Sequence, residues 1–268
     1  MQKRHKNRQQ YFTESANTSR EYYIDYLSNF TPVSNKKVLE IGCGEGGNLL
    51  PFAEMGCKVT GIDLSTERIE QANRFFESLN VGAEFSAIDF LKMECVNEMD
   101  KYDIILVHDV IEHIEQKDRF FNHIKQFLAR DGIIFWAFPA WQMPFGGHQQ
   151  ICHSKICSKL PFIHLFPESV YWYILSAFNE PESCINELIE IKRCGISIEK
   201  FEKLLKKNEY MLINKRLWLI NPHYKQKFGL KPRRLYALSR IKYLRNFFVT
   251  SCFYVTGIKN WEKGGNLK

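Results

Sequence analysis

The stretch KVLEIGCGEGGN, Lys37 to Asn48, limits the folds open to this chain more than any other feature. Val38, Leu39 and Ile41 form an apolar run of strand length, a glycine-rich turn follows, and a short helical segment comes next. A strand that ends in glycines and restarts as a helix opens a parallel α/β unit, since parallel strands need a crossover that a helix supplies. Gly42, Gly44 and Gly47 also satisfy the G-x-G-x-x-G spacing of a dinucleotide site. Such a site brings pyrophosphate to a helix N-terminus. Glu40, two residues before Gly42, opposes that use: a carboxylate repels phosphate and suits a ligand bearing cationic groups.

The alternation continues along the chain. Strands are predicted over Lys37–Ile41, Lys58–Ile62, Glu84–Ile88, Tyr102–Val107 and Ile133–Phe138, the last after an Asp131-Gly132 turn. Helices are predicted from Asn48 to Glu54, from the Ser65 cap to about Leu79, and from Val110 to Leu128. After Pro139 the pattern breaks into aromatics, prolines and histidines, with short helices near Glu168–Phe178 and Glu182–Ile191. An amphipathic helix over Ile196–Glu209 and strands near Leu212–Ile220 and Phe247–Ile258 complete the chain. The expected fold is α/β: a seven-stranded, mostly parallel sheet with helices on both faces and an inserted helical lid after strand five. Residues 1–36 form an N-terminal helical cap, residues 37–268 the main domain, and residues 141–195 a lid over the carboxyl ends of the strands, where open α/β sheets bind ligands.

With these motifs in order, the chain resembles a class I S-adenosylmethionine-dependent methyltransferase with a Rossmann-like sheet. VLEIGCGEGGN resembles that family's first motif through Glu40, Gly42, Cys43, Gly44 and Gly46; GIDLS resembles the second through Asp63 and Leu64; SAIDF resembles the third through Asp89 and Phe90. The resemblance implies that Asp63 takes both ribose hydroxyls, as a carboxylate can. It also implies that Asp89 accepts the adenine amino group, that Phe90 packs near the base, and that His108 lines the methionine side. S-adenosylmethionine carries an ammonium and a sulfonium and no phosphate, which agrees with Glu40. In the family an N-terminal helix often closes over the cofactor, and Tyr11, Arg20 and Tyr23 are candidates for that contact. Local readings stand beside these: Asp63 as a strand-end cap, Asp89 as a turn residue.

Methyl transfer is an in-line displacement, and a hydroxyl acceptor also needs a base or a metal. Asp109, Glu112 and His113 in HDVIEHI would share one face of the predicted helix. They are similar to the acid-x-x-Glu-His pattern of ubiquinone-pathway O-methyltransferases and small-RNA 2′-O-methyltransferases, a likeness that allows a divalent cation, although those proteins usually have Glu where this chain has Asp109. The lid contributes His148, Cys152, His153, Cys157 and His164, whose spacings are not those of a zinc knuckle. His148 follows Gly146-Gly147, read as a mobile turn; with His113 it is a candidate general base or acceptor-orienting group. A core histidine is the plainer alternative. Trp136, Trp141, Phe145, Tyr171 and Trp172 are read as an apolar lid or as core.

Composition bounds the partners. The net charge of +7 is uneven: from Lys200 onward there are 17 Lys and Arg against 3 Glu, leaving 20 basic against 27 acidic residues before it. A basic tail of that kind is a solvated face or meets an anionic acceptor, a phospholipid surface or nucleic acid. It is rich in Phe and Tyr, but no RNA-binding signature accompanies it. No apolar run reaches the roughly 20 residues of a membrane-spanning helix, and MQKRHKNRQQYF lacks a secretory apolar stretch, so the cytoplasm is the expected location. Eight scattered cysteines are expected to be thiols there. The expected activity is methylation of a small-molecule, glycan-like or lipid-like hydroxyl. An RNA 2′-O-methyltransferase and a non-catalytic S-adenosylmethionine-binding protein remain as alternatives.

Overall fold

A computed structural model describes residues 7–258; residues 1–6 of the expected cap and residues 259–268 of the basic tail lie outside the described part. Helix α1, Arg8–Thr18, runs through a π-helical segment, Ser19–Tyr23, into α2, Ile24–Leu27. Next come β1, Lys37–Ile41; α3, Leu50–Glu54; β2, Lys58–Asp63; α4, Thr66–Ser78; and β3, Glu84–Ala87. β4 is Tyr102–His108, α5 Lys117–Ile124 and β5 Leu128–Phe138. Helices α6, Glu168–Ala177, α7, Glu182–Cys194, and α8, Ile198–Lys207, precede β6, Tyr210–Ile220; α9, His223–Phe228; β7, Arg233–Arg234; and β8, Ser251–Ile258.

The sheet has eight strands rather than seven, in the order β3-β2-β1-β4-β5-β8-β6-β7. The first five are parallel, β8 is antiparallel to β5 and β6, and the extra strand is the two-residue β7 on the β6 edge. Alternation within the central strands explains the two-sided cover. Leu39, Ile41, Ile105 and Val107 face a core closed by α5 and α8. Val38, Ile104 and Leu106 face another closed by the N-terminal helix, α3 and α4. Strands buried on both faces read as continuous apolar runs, which is why β1 and β4 were legible. Strand order reverses between β1 and β4, so the carboxyl ends of these two parallel strands form the crevice of the sheet.

Two sequence expectations fail between β4 and β5. Asp109 is left-handed (φ 52°) and residues 111–113 form a turn, so the predicted helix begins only at Lys117 and ends at Ile124. A left-handed residue directly after a strand aims the chain out of a helical path. Lys117 holds that entry: its buried ammonium donates to the carbonyls of Ile114 and Cys194, the latter at 2.5 Å. Asp131-Gly132 is not a turn before β5 but part of it; Tyr102 pairs with Leu128 and Ile104 with Ile133, so the extra residues form a bulge.

α1 lies on the glycine turn. A Cβ on Gly47 would sit 2.6 Å from the Phe12 carbonyl oxygen and 2.8 Å from the Ser15 Cβ. Ser19 donates to the Asn48 carbonyl at 2.8 Å, and Arg8 pairs with Glu45 at 2.5 Å. Gly47→Ala is therefore expected to force α1 outward and to lower stability by about 1–3 kcal/mol, read as a lower denaturant midpoint at unchanged slope. An unchanged midpoint would show that α1 rests only loosely on the turn.

Candidate active site

The turn after β1 builds the first half of the crevice. Gly42, Gly44 and Gly46 all have positive φ, and a Cβ on Gly42 would meet the Val110 Cγ2 at 2.3 Å. The Gly42 and Cys43 amides both donate to the Ile62 carbonyl, which ties the turn to β2. Asp63 closes this corner: one carboxylate oxygen accepts from the Gly44 amide and the other from the Ser65 amide, each at 2.9 Å. The capping function of Asp63 is thus real, and each oxygen keeps a further lone pair for a ligand. Leu64, beside it, is 77% exposed.

Glu40 projects from β1 under this turn and is fully buried. One oxygen accepts from Asn48 Nδ2 at 2.7 Å; the other has no partner among the described residues. Burial pushes its carboxyl up to about 8, against the Asn48 hydrogen bond and with the Asp63 charge assisting. Asn48 also lies 3.5 Å from His108 Nδ1, whose Nε2 is 3.5 Å from Asp109. Sequence reasoning missed Asn48; its only signal was its place at the end of the glycine stretch.

The other expected cofactor residues are less uniform. Asp89 accepts from the Leu91 amide at 3.0 Å and caps a short 3₁₀ turn while remaining half-buried. Phe90 turns inward, packed against Phe120 and Phe127 with centroids 5.3 and 5.2 Å away, so its ring belongs to the core. Of the N-terminal candidates, Tyr11 lines the crevice with Ser15 and Arg68. Arg20 instead pairs with Glu54 on the surface, and Tyr23 is buried beside Phe135.

The second half of the site joins the β4 turn to residues 141–195. Glu112, His113 and His148 bring one ligating atom each within 4.8 Å of one another, and the two imidazole centroids are 5.0 Å apart. Asp109, expected on the same helix face, is not in this group, because no helix forms there. Glu112 is buried with neither oxygen hydrogen-bonded among the described residues, and burial together with Asp109 pushes its carboxyl well above the usual range. Burial and the neighbouring His113 push His148 down to about 4. His148 itself is left-handed (φ 56°), an uncommon state for a non-glycine residue.

Gly146-Gly147 is a packed element and not the mobile turn expected. A Cβ on Gly146 would meet the Trp141 carbonyl at 2.2 Å, and one on Gly147 the His164 Cβ at 2.2 Å. His164 is buried, its Nε2 bonds the Trp141 carbonyl at 2.8 Å, and it packs against Gly147, the residue before His148. The Trp141 amide donates to Ile196, fastening the two ends of the segment together. Cys152 and Cys157 sit apart from the crevice with Glu180, whose carboxylate accepts from the His153 and Ser154 amides. Trp136 and Tyr171 are core, while Trp172 is exposed. All eight cysteines are unpaired in disulfides.

A family model described as a methyltransferase domain matches residues 32–168, just over half of the chain, including both halves of this crevice. The chain belongs to the methyltransferase-domain family. Among similar curated proteins, a ubiquinone biosynthesis O-methyltransferase of Glaesserella parasuis is 34% identical over 122 residues, 44% of this chain and 51% of that protein. One of the same name from Pelagibacter ubique is 31% identical over 110 residues, 41% and 45% of the two chains. This methyltransferase chain spans about half the length of the curated relatives it matches. The fold is similar to that of the magnesium protoporphyrin IX methyltransferase of Synechocystis with bound S-adenosylhomocysteine. That likeness has a TM-score of 0.54 at 16% identity and covers 91% of this chain and 82% of the other. No helix among the described residues is long and apolar enough to cross a membrane.

Proposed function

We propose that this chain is an S-adenosylmethionine-dependent O-methyltransferase acting on a small or lipid-like hydroxyl acceptor. In this reading the ammonium of the cofactor pairs with the unpartnered oxygen of Glu40, Asp63 takes the ribose, and Leu64, Asp89 and Cys43 border the nucleoside. The buried Glu40 oxygen fits a cationic group and no phosphate, and the glycines leave the room a nucleoside needs. The cavity under α1 is about 80 Å³ and is lined by Tyr11, Phe12 and Ser15 together with the glycine turn, while Asp63 and Asp89 lie outside it. That gives residues 7–36 the role of a cap and residues 141–195 that of a lid.

The observation that carries the hydroxyl reading is the trio Glu112, His113 and His148 beside this crevice. The acceptor oxygen attacks the methyl carbon, the carbon–sulfur bond breaks with its electrons going to sulfur, and the hydroxyl proton must leave. Glu112 is the group suited to take that proton. His148, held neutral and weakly basic, is suited to accept a hydrogen bond and orient the acceptor. The trio also fits a divalent cation, since two neutral imidazoles and a buried carboxylate without partners are a ligand set; such a cation would lower the pKa of the acceptor hydroxyl.

The test uses methyl-labelled S-adenosylmethionine with lipid, soluble and RNA fractions of a bacterial extract. The expected result is S-adenosylhomocysteine release with label in a lipid or small-molecule ether. Label in RNA would replace this reading by a nucleic-acid one, and cofactor binding without release would favour a non-catalytic protein.

A further inference from the structure

We infer that the segment from Phe228 to Phe248 is a docking surface for an anionic phospholipid membrane. No Asp or Glu occurs between Tyr210 and Trp261. Within the segment, large apolar side chains point outward: Tyr236 and Tyr243 are each 72% exposed and Ile241 48%, with Leu244, Phe247 and Phe248 also exposed. Interleaved with them are the exposed cations Lys231, Arg233, Arg240 and Lys242. Isolated exposed apolar residues are ordinary; a run of them set among unopposed cations is not.

The segment is held firmly from the inside. Arg245 is buried and its guanidinium donates to Glu199 and Glu202 of α8, each at 2.9 Å. The Tyr243 amide donates to Glu199 at 2.9 Å, and Asn246 accepts from the Ile198 amide at 2.8 Å. The nearby carboxylates are thus consumed inward, and the outward face keeps its positive charge. Tyrosine and phenylalanine suit a membrane interface, where one end is apolar and the other wet, and lysine and arginine meet anionic headgroups.

The occupant follows from charge and shape. A second copy would bring two positive faces together. RNA would use the aromatic rings, but the branched Ile241 and Leu244 present no plane on which a base can stack. A bilayer surface takes aliphatic and aromatic tips alike.

The segment also lies at the crevice edge. It leads into β8, whose Cys252 pairs with Phe138 at the carboxyl end of β5, and Phe162 of the 141–195 segment is 6.4 Å from Phe247. A docked chain would turn its crevice toward the lipid, so an acceptor could enter from the membrane. That last step rests on the methyl-transfer reading; the docking itself does not.

The experiment is sedimentation of the full chain with vesicles of equimolar phosphatidylglycerol and phosphatidylcholine, with phosphatidylcholine alone and single-stranded RNA in parallel. Binding to the anionic vesicles alone is expected. Arg240→Gln with Lys242→Gln should weaken it about 25-fold, each surface cation contributing roughly fivefold. Ile241→Ser with Leu244→Ser should weaken it at least tenfold with unchanged circular dichroism. No binding, equal binding to neutral vesicles, binding to RNA alone, or full binding by both variants would overturn the proposal. Calorimetry with S-adenosylhomocysteine reports separately on the methyl-transfer reading, so failure of one does not imply failure of the other.

Discussion

Glu40→Gln is expected to weaken S-adenosylmethionine binding roughly 10- to 100-fold while leaving the fold intact. The glutamine oxygen can still accept from Asn48 Nδ2. Its amide nitrogen would then face the ligand ammonium, donor against donor, and a charge-assisted bond contributes about 1.5–3 kcal/mol. The pH dependence has a definite sign. Burial pushes the Glu40 carboxyl up to about 8, so near neutrality a cationic ligand has to displace its proton. Affinity should therefore rise with pH up to about 8 and level off above it. Calorimetry in buffers of different ionisation enthalpy should show proton release below that pH. The same shift acts on stability in the opposite sense. A carboxyl whose folded pKa is raised contributes stability at low pH and loses it as pH rises toward 8, so Glu40→Gln without ligand should be at least as stable as the parent at pH 8. Equal affinity of parent and variant, with no proton release, would remove Glu40 from the cofactor site.

Glu112→Gln is expected to lower turnover by 10²- to 10⁴-fold, the usual contribution of a positioned acid or base, with S-adenosylhomocysteine affinity unchanged. Among the described residues neither Glu112 oxygen has a hydrogen-bond partner, so glutamine should not unfold the chain. Burial and the Asp109 charge raise the Glu112 carboxyl well above the ordinary range. Turnover should accordingly increase with pH as Glu112 ionises, and that limb should vanish from the variant profile. His148→Ala should reduce turnover less than Glu112→Gln, because an imidazole pushed down to about 4 is a weak base. If the trio holds a cation, elemental analysis of gently purified protein should find it in the parent and not in Glu112→Gln. A variant that retains full turnover with its acceptor would show that Glu112 serves only the packing of the β4 turn.

What could be read from the sequence was what is encoded locally. β1 and β4 announce themselves because strands covered on both faces must be apolar throughout. The Gly42–Gly46 turn is visible because left-handed backbone selects glycine, and the Ser65 cap because its side chain serves the amide of Arg68 three residues on. Asp63 stands at a strand end whose place in the chain is fixed by those neighbours. The helix over residues 110–116 was misread because its apolar spacing is helical, and nothing local reveals that Asp109 turns left-handed to meet the Ala137 carbonyl. β7 escaped notice because two residues carry no period.

The parallel sheet, its glycine turn and the carboxylates Glu40 and Asp63 that flank the turn are encoded locally, since each depends on backbone conformation and on residues close along the chain. Long-range packing alone brings His148 to Glu112 and His113 across the 34 positions that separate the two histidines, sets Asn48 against Glu40 and turns Phe90 to the core. It also decided which charges matter, because desolvation raises Glu40 and Glu112 and lowers His148 only once the surrounding segments have excluded water.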